Sequence, residues 1–423
     1  MALIRPFRGV RYDPAVVGDL RQVVSPPYDV ISAEQQTLLH LRSPYNAVRL
    51  DLNRDAERYS SAAKTLRDWL DRRVLIQDEE PSLYCYTQEF TLKDGSRHTR
   101  AGILAALRLE DFSAKMIRPH ERTFEGAKND RLELLRSCQT HLSPVFLLYS
   151  KPAWSLTETL APALAAPAPV TVEDDQQTRH RLWRITDQAL IAEVAAGLAR
   201  EPLIIADGHH RYETALRYRA ERLAAQKQSS GEEPFNYVLA YLTNVREGGV
   251  VILPTHRLLC EGPLPNSQHL RTALQRDFRV ALFPPADPPA FFAALRAPGP
   301  ERRIGCAFAG ASHYWLLSFD ERVTHGLPVS APLRAVDVTV LHDVIFQRFL
   351  GFPADVQKQR LAYAIDEEEA LRRVAERRCQ AAFFLNPTTF EQVAAVCERG
   401  ETMPQKSTYF FPKLLTGLVF YRL

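Results

Sequence analysis

The side chains best placed to do chemistry stand in one run, Asp207-Gly208-His209-His210-Arg211. Glycine lets a backbone come close to a ligand, and the first turn of a following helix offers N–H groups at the positive end of its dipole. Asp207 reads as the N-cap of that helix. Arg211 supplies a planar fork suited to phosphate or carboxylate, and His209 and His210 can take or give protons near neutral pH. A strand, an Asp-Gly turn and a capped helix are common in α/β proteins. Three ionisable side chains packed into the first turn are not, and they mark a phosphate or carboxylate site. Adjacent histidines on a helix point about 100° apart, whereas helical zinc pairs sit four residues apart, so the metal is left unknown.

Four other stretches carry polar chemistry on irregular backbone. Pro26-Pro27-Tyr28-Asp29 is a rigid loop that holds Asp29 still. Pro119-His120-Glu121-Arg122-Thr123 sets His, Glu and Arg in succession, Thr255-His256-Arg257 stands at a strand end, and Gln405-Lys406-Ser407-Thr408 lies between prolines and aromatics. Helix lead-in, cap and solvated rim are the plain alternatives for these. The expected catalytic set is Asp207, His209, His210, Asp29, His120 and Glu121. The expected phosphate-binding set is Gly208, Arg211, Arg122, Lys406, Ser407, Thr408, His256 and Arg257. Loops on a rigid scaffold are where sites are assembled, so at least two of the 119–123, 207–211 and 405–408 loops are expected to converge. Arg211 and Lys406 are read as cleft charges that contribute little to folding. Lys406-Ser407-Thr408 lacks the glycines of a phosphate loop, and no Gly-x-Gly-x-x-Gly occurs.

The elements that must position these residues follow from periodicity. Leu203–Ala206 is a short buried strand, and Tyr212, Ala215, Leu216, Ala220 and Leu223 recur at helical spacing. Residues 82–92 and 97–109 alternate as a hairpin around Lys93-Asp94-Gly95-Ser96. Residues 237–244 and 250–254 read as a second strand pair, and prolines keep 403–413 irregular. The chain of 423 residues is too long for one ordinary core. Pro- and Ala-rich stretches divide it into an N-terminal α/β domain (1–150), a central domain (151–265) and a C-terminal α/β domain (266–423). A net charge of +3 gives no strong nucleic-acid signal. The apolar runs are too short for a membrane span and no signal-peptide core is evident, so a cytoplasmic protein is expected. Six scattered cysteines with no Cys-x-x-Cys read as free thiols.

The chain resembles, nearly end to end, the family catalogued as domain of unknown function 1015. The matching pieces are Ile4-Arg5-Pro6-Phe7-Arg8-Gly9, Ser25-Pro26-Pro27-Tyr28-Asp29-Val30-Ile31, Pro119 to Thr123 with Asp130-Arg131-Leu132, Ala206 to Ala215, and Met403 to Phe410. Where that family usually has Pro-Lys before Asp-Arg-Leu, this chain has Ala127-Lys128, with Asn129 following. Locally, Gly208-His209-His210-Arg211 is similar to the phosphate-binding turn of the ParB and sulfiredoxin superfamily. His209 stands where sulfiredoxins have their reactive cysteine, and Arg211 matches the last arginine of the ParB turn. The resemblance implies a mixed α/β (α+β) fold of several mixed-sheet subdomains, with a ParB/sulfiredoxin-like strand-turn-helix at the centre. It also favours a phosphate- or nucleotide-binding phosphotransferase acting on a small hydroxylated metabolite such as serine; the cofactor is left unknown, with magnesium and a nucleotide as the candidate. A non-catalytic nucleotide-binding regulator and a metal-dependent hydrolase are the alternatives. The expected partner is a small-molecule phosphate or nucleotide, and the oligomeric state is left open.

Overall fold

The computed structural model describes residues 3–423 except 124, 227, 263, 265 and 266. Mixed α/β architecture is what it shows, in two compact units. One unit comprises Met1–Pro119, Thr123–Val251 and Pro412–Leu423, and the other His120–Arg122 and Ile252–Phe411.

The first unit is built on a nine-stranded mixed sheet. Its order runs Ile117–Arg118, Leu203–Asp207, Val145–Tyr149, Tyr237–Asn244, Arg97–Arg108, Leu83–Thr91, Arg179–Ile185 and Val170–Glu173, with Ile4–Arg5 added to Arg97–Arg108. Val145–Tyr149 and Tyr237–Asn244 are buried along their whole length, as strands covered on both faces must be. The helices Leu156–Leu164 and Gln188–Leu198 bury Leu156, Leu160, Ile191, Val194 and Leu198 against Leu83, Ile103, Val145, Leu147 and Ile205. Removing each such side chain from water is worth about 1.5–3 kcal/mol, so this core fixes the strand that delivers Asp207. A second apolar cluster forms where the helix Arg58–Asp71 places Ala62, Leu66 and Trp69 on one face. Ser32 caps the helix Ala33–Arg42 by accepting from the Gln35 N–H at 3.2 Å, and the hairpin forms from Leu83–Thr91 and Arg97–Arg108 as the alternation predicts.

The second unit carries a six-stranded antiparallel sheet. Its order is Arg279–Phe283, Tyr314–Phe319, Arg302–Phe308, Ala381–Phe384, His256–Leu259 and Leu361–Ala364. The helices Pro288–Arg296 and Glu367–Ala375 cover one face through Phe291, Phe292, Leu295, Ala370 and Val374.

Several sequence expectations change. The segments 1–150 and 151–265 are not separated here, because Arg179–Ile185, Leu203–Asp207 and Tyr237–Asn244 are all strands of the first unit's sheet. Tyr237–Asn244 takes Arg97–Arg108 and Val145–Tyr149 as neighbours, so its pairing with 250–254 does not form. A strand, Tyr409–Phe411, interrupts the segment expected to stay irregular. Cys260 and Cys379 form a disulfide, while Cys85, Cys138, Cys306 and Cys397 are free and buried. Neighbouring antiparallel strands bring these two cysteines together across 119 residues of sequence, a proximity that spacing along the chain does not reveal. Among the described residues no helix is long and apolar enough to cross a membrane.

Candidate functional site

In the first unit the strand Leu203–Asp207 runs through Gly208 into the helix His209–Ala225. The cap is Gly208, not Asp207, and it has φ +90°. Two constraints meet at this glycine. The left-handed backbone disfavours a side chain, and a Cβ would lie 3.0 Å from the Arg211 guanidinium, which therefore rests against bare backbone.

Asp207 is free of capping duty because two cations take it. Its Oδ2 accepts from Arg211 Nη2 at 2.5 Å, one helical turn on, and its Oδ1 accepts from Lys413 Nζ at 2.5 Å. Burial works to raise the Asp207 carboxyl, but Lys413 and then Arg211 hold it well below the ordinary carboxylate range. Arg211 also donates from Nη1 to the Pro144 carbonyl. Burial opposes its charge, and Asp207 followed by Asp29, Tyr28 and Asp51 keeps it more firmly protonated than usual. Arg211 is thus a buried, ion-paired residue with 10% of its side chain exposed, which corrects the expectation of a cleft charge with little role in folding.

The loop of prolines stands in the same electrostatic neighbourhood. Tyr28–Val30 is a short 3-10 turn, and Asp29 is exposed within the field of Arg211. Tyr28 lies under the Arg131 guanidinium, 4.1 Å from its ring centroid. Arg131 pairs with Asp51 at 2.9 Å and with Asp130 at 2.5 Å. Burial pushes the Asp51 carboxyl up against the opposing pull of Arg131. His209 is buried and His210 half-buried at the start of the helix.

In the second unit residues 120–122 of the first of these loops meet the 405–408 loop. His120 is fully buried and its Nε2 lies 2.8 Å from the Thr408 hydroxyl. Glu121 bridges to Met403, Arg122 Nε donates to the Thr402 hydroxyl at 3.3 Å, and Gln405 Nε2 donates to the Arg122 carbonyl at 3.2 Å. Arg257 is a buried arginine that holds the turn from behind. It donates to the Thr255 carbonyl and, through Nη2, to the carbonyls of Gln405 at 3.1 Å and Lys406 at 2.9 Å. Burial lowers its pKa to about 10. Thr388 ties the Ser407 carbonyl, and the Ser407 hydroxyl donates to the Pro404 carbonyl. Lys406 is left exposed at φ +57°, a conformation that costs an L-residue about 1–2 kcal/mol. His256 is enclosed against Phe384, with Nδ1 accepting from the Leu385 N–H at 3.3 Å. Burial, then Arg257, lowers its pKa to about 3, the behaviour of a neutral core histidine.

Asp207, Gly208, His209, His210, Arg211 and Asp29 therefore belong to the first unit. His120, Glu121, Arg122, His256, Arg257, Lys406, Ser407 and Thr408 belong to the second. Lys413, Asp51 and Arg131 were not among the expected site residues. Arg131 stood in the matching piece Asp130-Arg131-Leu132, and Lys413 directly follows the proline that closes Met403–Pro412. Among the described residues no group of three or more His, Cys, Asp or Glu is arranged to hold a metal ion.

The match to a family model spans four fifths of the chain, residues 4–339. The chain belongs to the family described as protein of unknown function (DUF1015). No curated protein matches. Among solved structures it is similar to a free serine kinase in complex with AMP, at 12% identity and a TM-score of 0.35, covering 73% of this chain and 86% of that one. It is also similar to a conserved hypothetical protein from Pyrococcus furiosus, at 13% identity and a TM-score of 0.34, covering 73% and 90%. A third likeness is to C-terminally truncated SbnI from Staphylococcus aureus, at 10% identity and a TM-score of 0.35, covering 75% and 86%.

Proposed function

We propose that this chain is a phosphate- or nucleotide-binding phosphotransferase whose acceptor is a small hydroxylated metabolite. The observation that carries the reading is the convergence of Arg211 and Lys413 on Asp207 at a glycine-started helix, with the exposed carboxylate of Asp29 in the field of Arg211. Phosphoryl transfer asks mainly for positioning and for positive charge on the transferring group. Arg211, Lys413 and the first turn of the helix supply that charge. Asp29 takes the proton of the acceptor hydroxyl as the new O–P bond forms and the nucleoside diphosphate leaves with the electron pair of the old one. An open cleft of about 550 Å³ lies farther along the same helix, lined by Phe112, Lys128, Glu213 and Arg217 among others, a volume suited to a nucleotide-sized ligand.

Both oxygens of Asp207 are already engaged by cations, so magnesium is better served by Asp29 and the phosphates themselves. Magnesium commonly binds through one or two carboxylates plus substrate phosphates and needs no all-protein cage. The ParB/sulfiredoxin likeness of the turn, through Gly208 and Arg211, and serine as acceptor are finer parts of the same reading.

The test is a thermal-shift series with pyrophosphate, AMP, ADP and ATP, each with and without magnesium, followed by ATP turnover against a panel of small hydroxylated acceptors. Binding to the native state at 100 times the dissociation constant adds about 2.7 kcal/mol of stability, so a true ligand raises the melting temperature by several degrees. Turnover that falls in Asp29→Asn while nucleotide binding persists supports the assignment. Stabilisation by none of the phosphate compounds defeats it. The internal satisfaction of Asp207 by two cations favours a second reading, a nucleotide-binding regulator, and stabilisation without turnover for any acceptor selects that one.

A further inference from the structure

The short 3-10 turn Phe112–Ala114 is fastened to the helix His209–Ala225 by hydrogen bonds at Leu109, Glu110 and Asp111. The Tyr212 hydroxyl accepts from the Glu110 N–H at 3.0 Å and donates to the Glu110 carbonyl at 2.8 Å. Arg219, two turns farther along, donates from Nη1 to the Leu109 carbonyl and from Nη2 to the Asp111 carboxylate at 3.0 Å. The Phe112 ring is stacked on Tyr212, with centroids 5.5 Å apart and planes 22° apart. That ring is nevertheless only half-buried, and it lines the open cleft of about 550 Å³ together with Lys128, Glu213 and Arg217. An aliphatic side chain would cover Tyr212 as well. A phenyl ring held still at the wall of a cleft is in addition a platform, because any planar aromatic ligand has a π face to lay against it.

The rest of the lining is polar and fixed. Lys128 Nζ donates to Glu213 at 3.0 Å, and the Thr123 hydroxyl donates to the same carboxylate at 2.9 Å. An apolar or aromatic wall with a few placed polar groups is the usual form of a site for a small organic ligand. His210, Glu213 and Arg217 follow one another at i, i+3 and i+7, so they share one face of the helix. At a rise of 1.5 Å per residue, Glu213 and Arg217 stand about 7–14 Å along the axis from Gly208. We infer that this cleft takes the base of a purine nucleotide, stacked on Phe112, with the phosphates running along that helix face toward its N-terminus. Two fused rings cover a phenyl face more fully than one, which favours a purine over a pyrimidine. The inference rests on the nucleotide reading given above, and adds to it the class of nucleotide, the residue that selects it and the direction in which it lies.

The test is calorimetry on the full chain with ADP, UDP and inorganic pyrophosphate, for wild type, Phe112→Ala, Phe112→Leu and Phe112→Trp. Wild type binds ADP more tightly than UDP, and UDP more tightly than pyrophosphate. Phe112→Ala and Phe112→Leu weaken ADP about tenfold, the loss of one base–aromatic stack, while Phe112→Trp binds it at least as well as wild type. Pyrophosphate binding is the same in all four, which also shows that each variant is folded. Leucine decides the matter, since it keeps the apolar cover over Tyr212 and has no π face. A purely structural Phe112 is rescued by leucine, and a stacking platform is not. Adenosine, which carries no phosphate, provides a separate arm by quenching the fluorescence of the tryptophan introduced in Phe112→Trp. Three results overturn the inference while the functional reading stands: ADP no tighter than pyrophosphate, equal weakening of the two in Phe112→Ala, or full rescue by leucine. Adenosine quenching with no pyrophosphate binding and no phosphoryl transfer keeps the base site and removes the functional reading. Failure of wild type to bind ADP, pyrophosphate or adenosine defeats both.

Discussion

Replacing Asp207 by Asn tests the centre of the site, because it deletes one charge and almost no volume. In the wild-type fold the carboxylate lies 2.5 Å from Arg211 Nη2 and 2.5 Å from Lys413 Nζ, with side-chain exposures of 14% for Asp207, 10% for Arg211 and 14% for Lys413. The amide leaves two cations side by side in a buried setting with their common counter-charge gone. Removing one partner of a buried pair costs about 3–5 kcal/mol, and the additional repulsion between Arg211 and Lys413 places this case toward the upper end. At about 2–4 °C per kcal/mol for a unit of this size, the melting temperature falls by on the order of 10 °C. The assay is thermal denaturation at pH 7 followed by circular dichroism, repeated at high salt, which weakens buried pairs little. Acid provides the second readout. The folded carboxyl titrates below its unfolded value near 3.9, so its contribution is fully present above that value and is lost only as pH falls through the folded one. The wild-type advantage over Asp207→Asn therefore persists at pH 5 and fades only in strong acid. A melting temperature within about 2 °C of wild type at pH 7 refutes the reasoning.

Lys406 sits exposed at φ +57°, so Lys406→Gly relieves backbone strain and raises stability by about 0.5–1 kcal/mol after the entropy cost of glycine, whereas Lys406→Ala stays within about 0.5 kcal/mol of wild type. Denaturant midpoints distinguish the two, and equal values for both variants contradict the strain. Burial lowers the pKa of His141 to about 4, and of His256 and His342 to about 3. Their unfolded value lies near 6.5, so the stability they contribute is complete above that pH and is lost as pH falls from it toward 3–4, by on the order of 2 kcal/mol per histidine at pH 5. Unfolding free energies at pH 7.5 and pH 5 check this, and a protein no less stable at pH 5 contradicts it.

The sequence by itself determined the local pieces. Leu203–Ala206 followed by glycine and a 3.6-residue apolar period reads as strand, turn and helix because buried strands and amphipathic helices leave different periods in the chain. The 83–108 hairpin was legible for the same reason, since a tight turn is made by residues three or four apart. The polar clusters at 119–123 and 405–408 were visible as composition, and the structure brings them together at His120 and Thr408. Only the tertiary structure decided what each charged group is for. Arg211 looks alike in a sequence whether it faces a ligand or the Asp207 carboxylate four residues before it, and Lys413, 206 positions from Asp207, arrives at the other oxygen. Arg257 turned from a candidate phosphate ligand into the support of the Lys406 turn through carbonyls about 150 residues away, and the pairing of Asp51 with Arg131 surfaced only in the fold. Hydrophobic periodicity is written in neighbouring residues, whereas the partner of a buried charge is chosen by how strands and loops far apart in the chain are packed. The first is therefore readable in one dimension and the second is not.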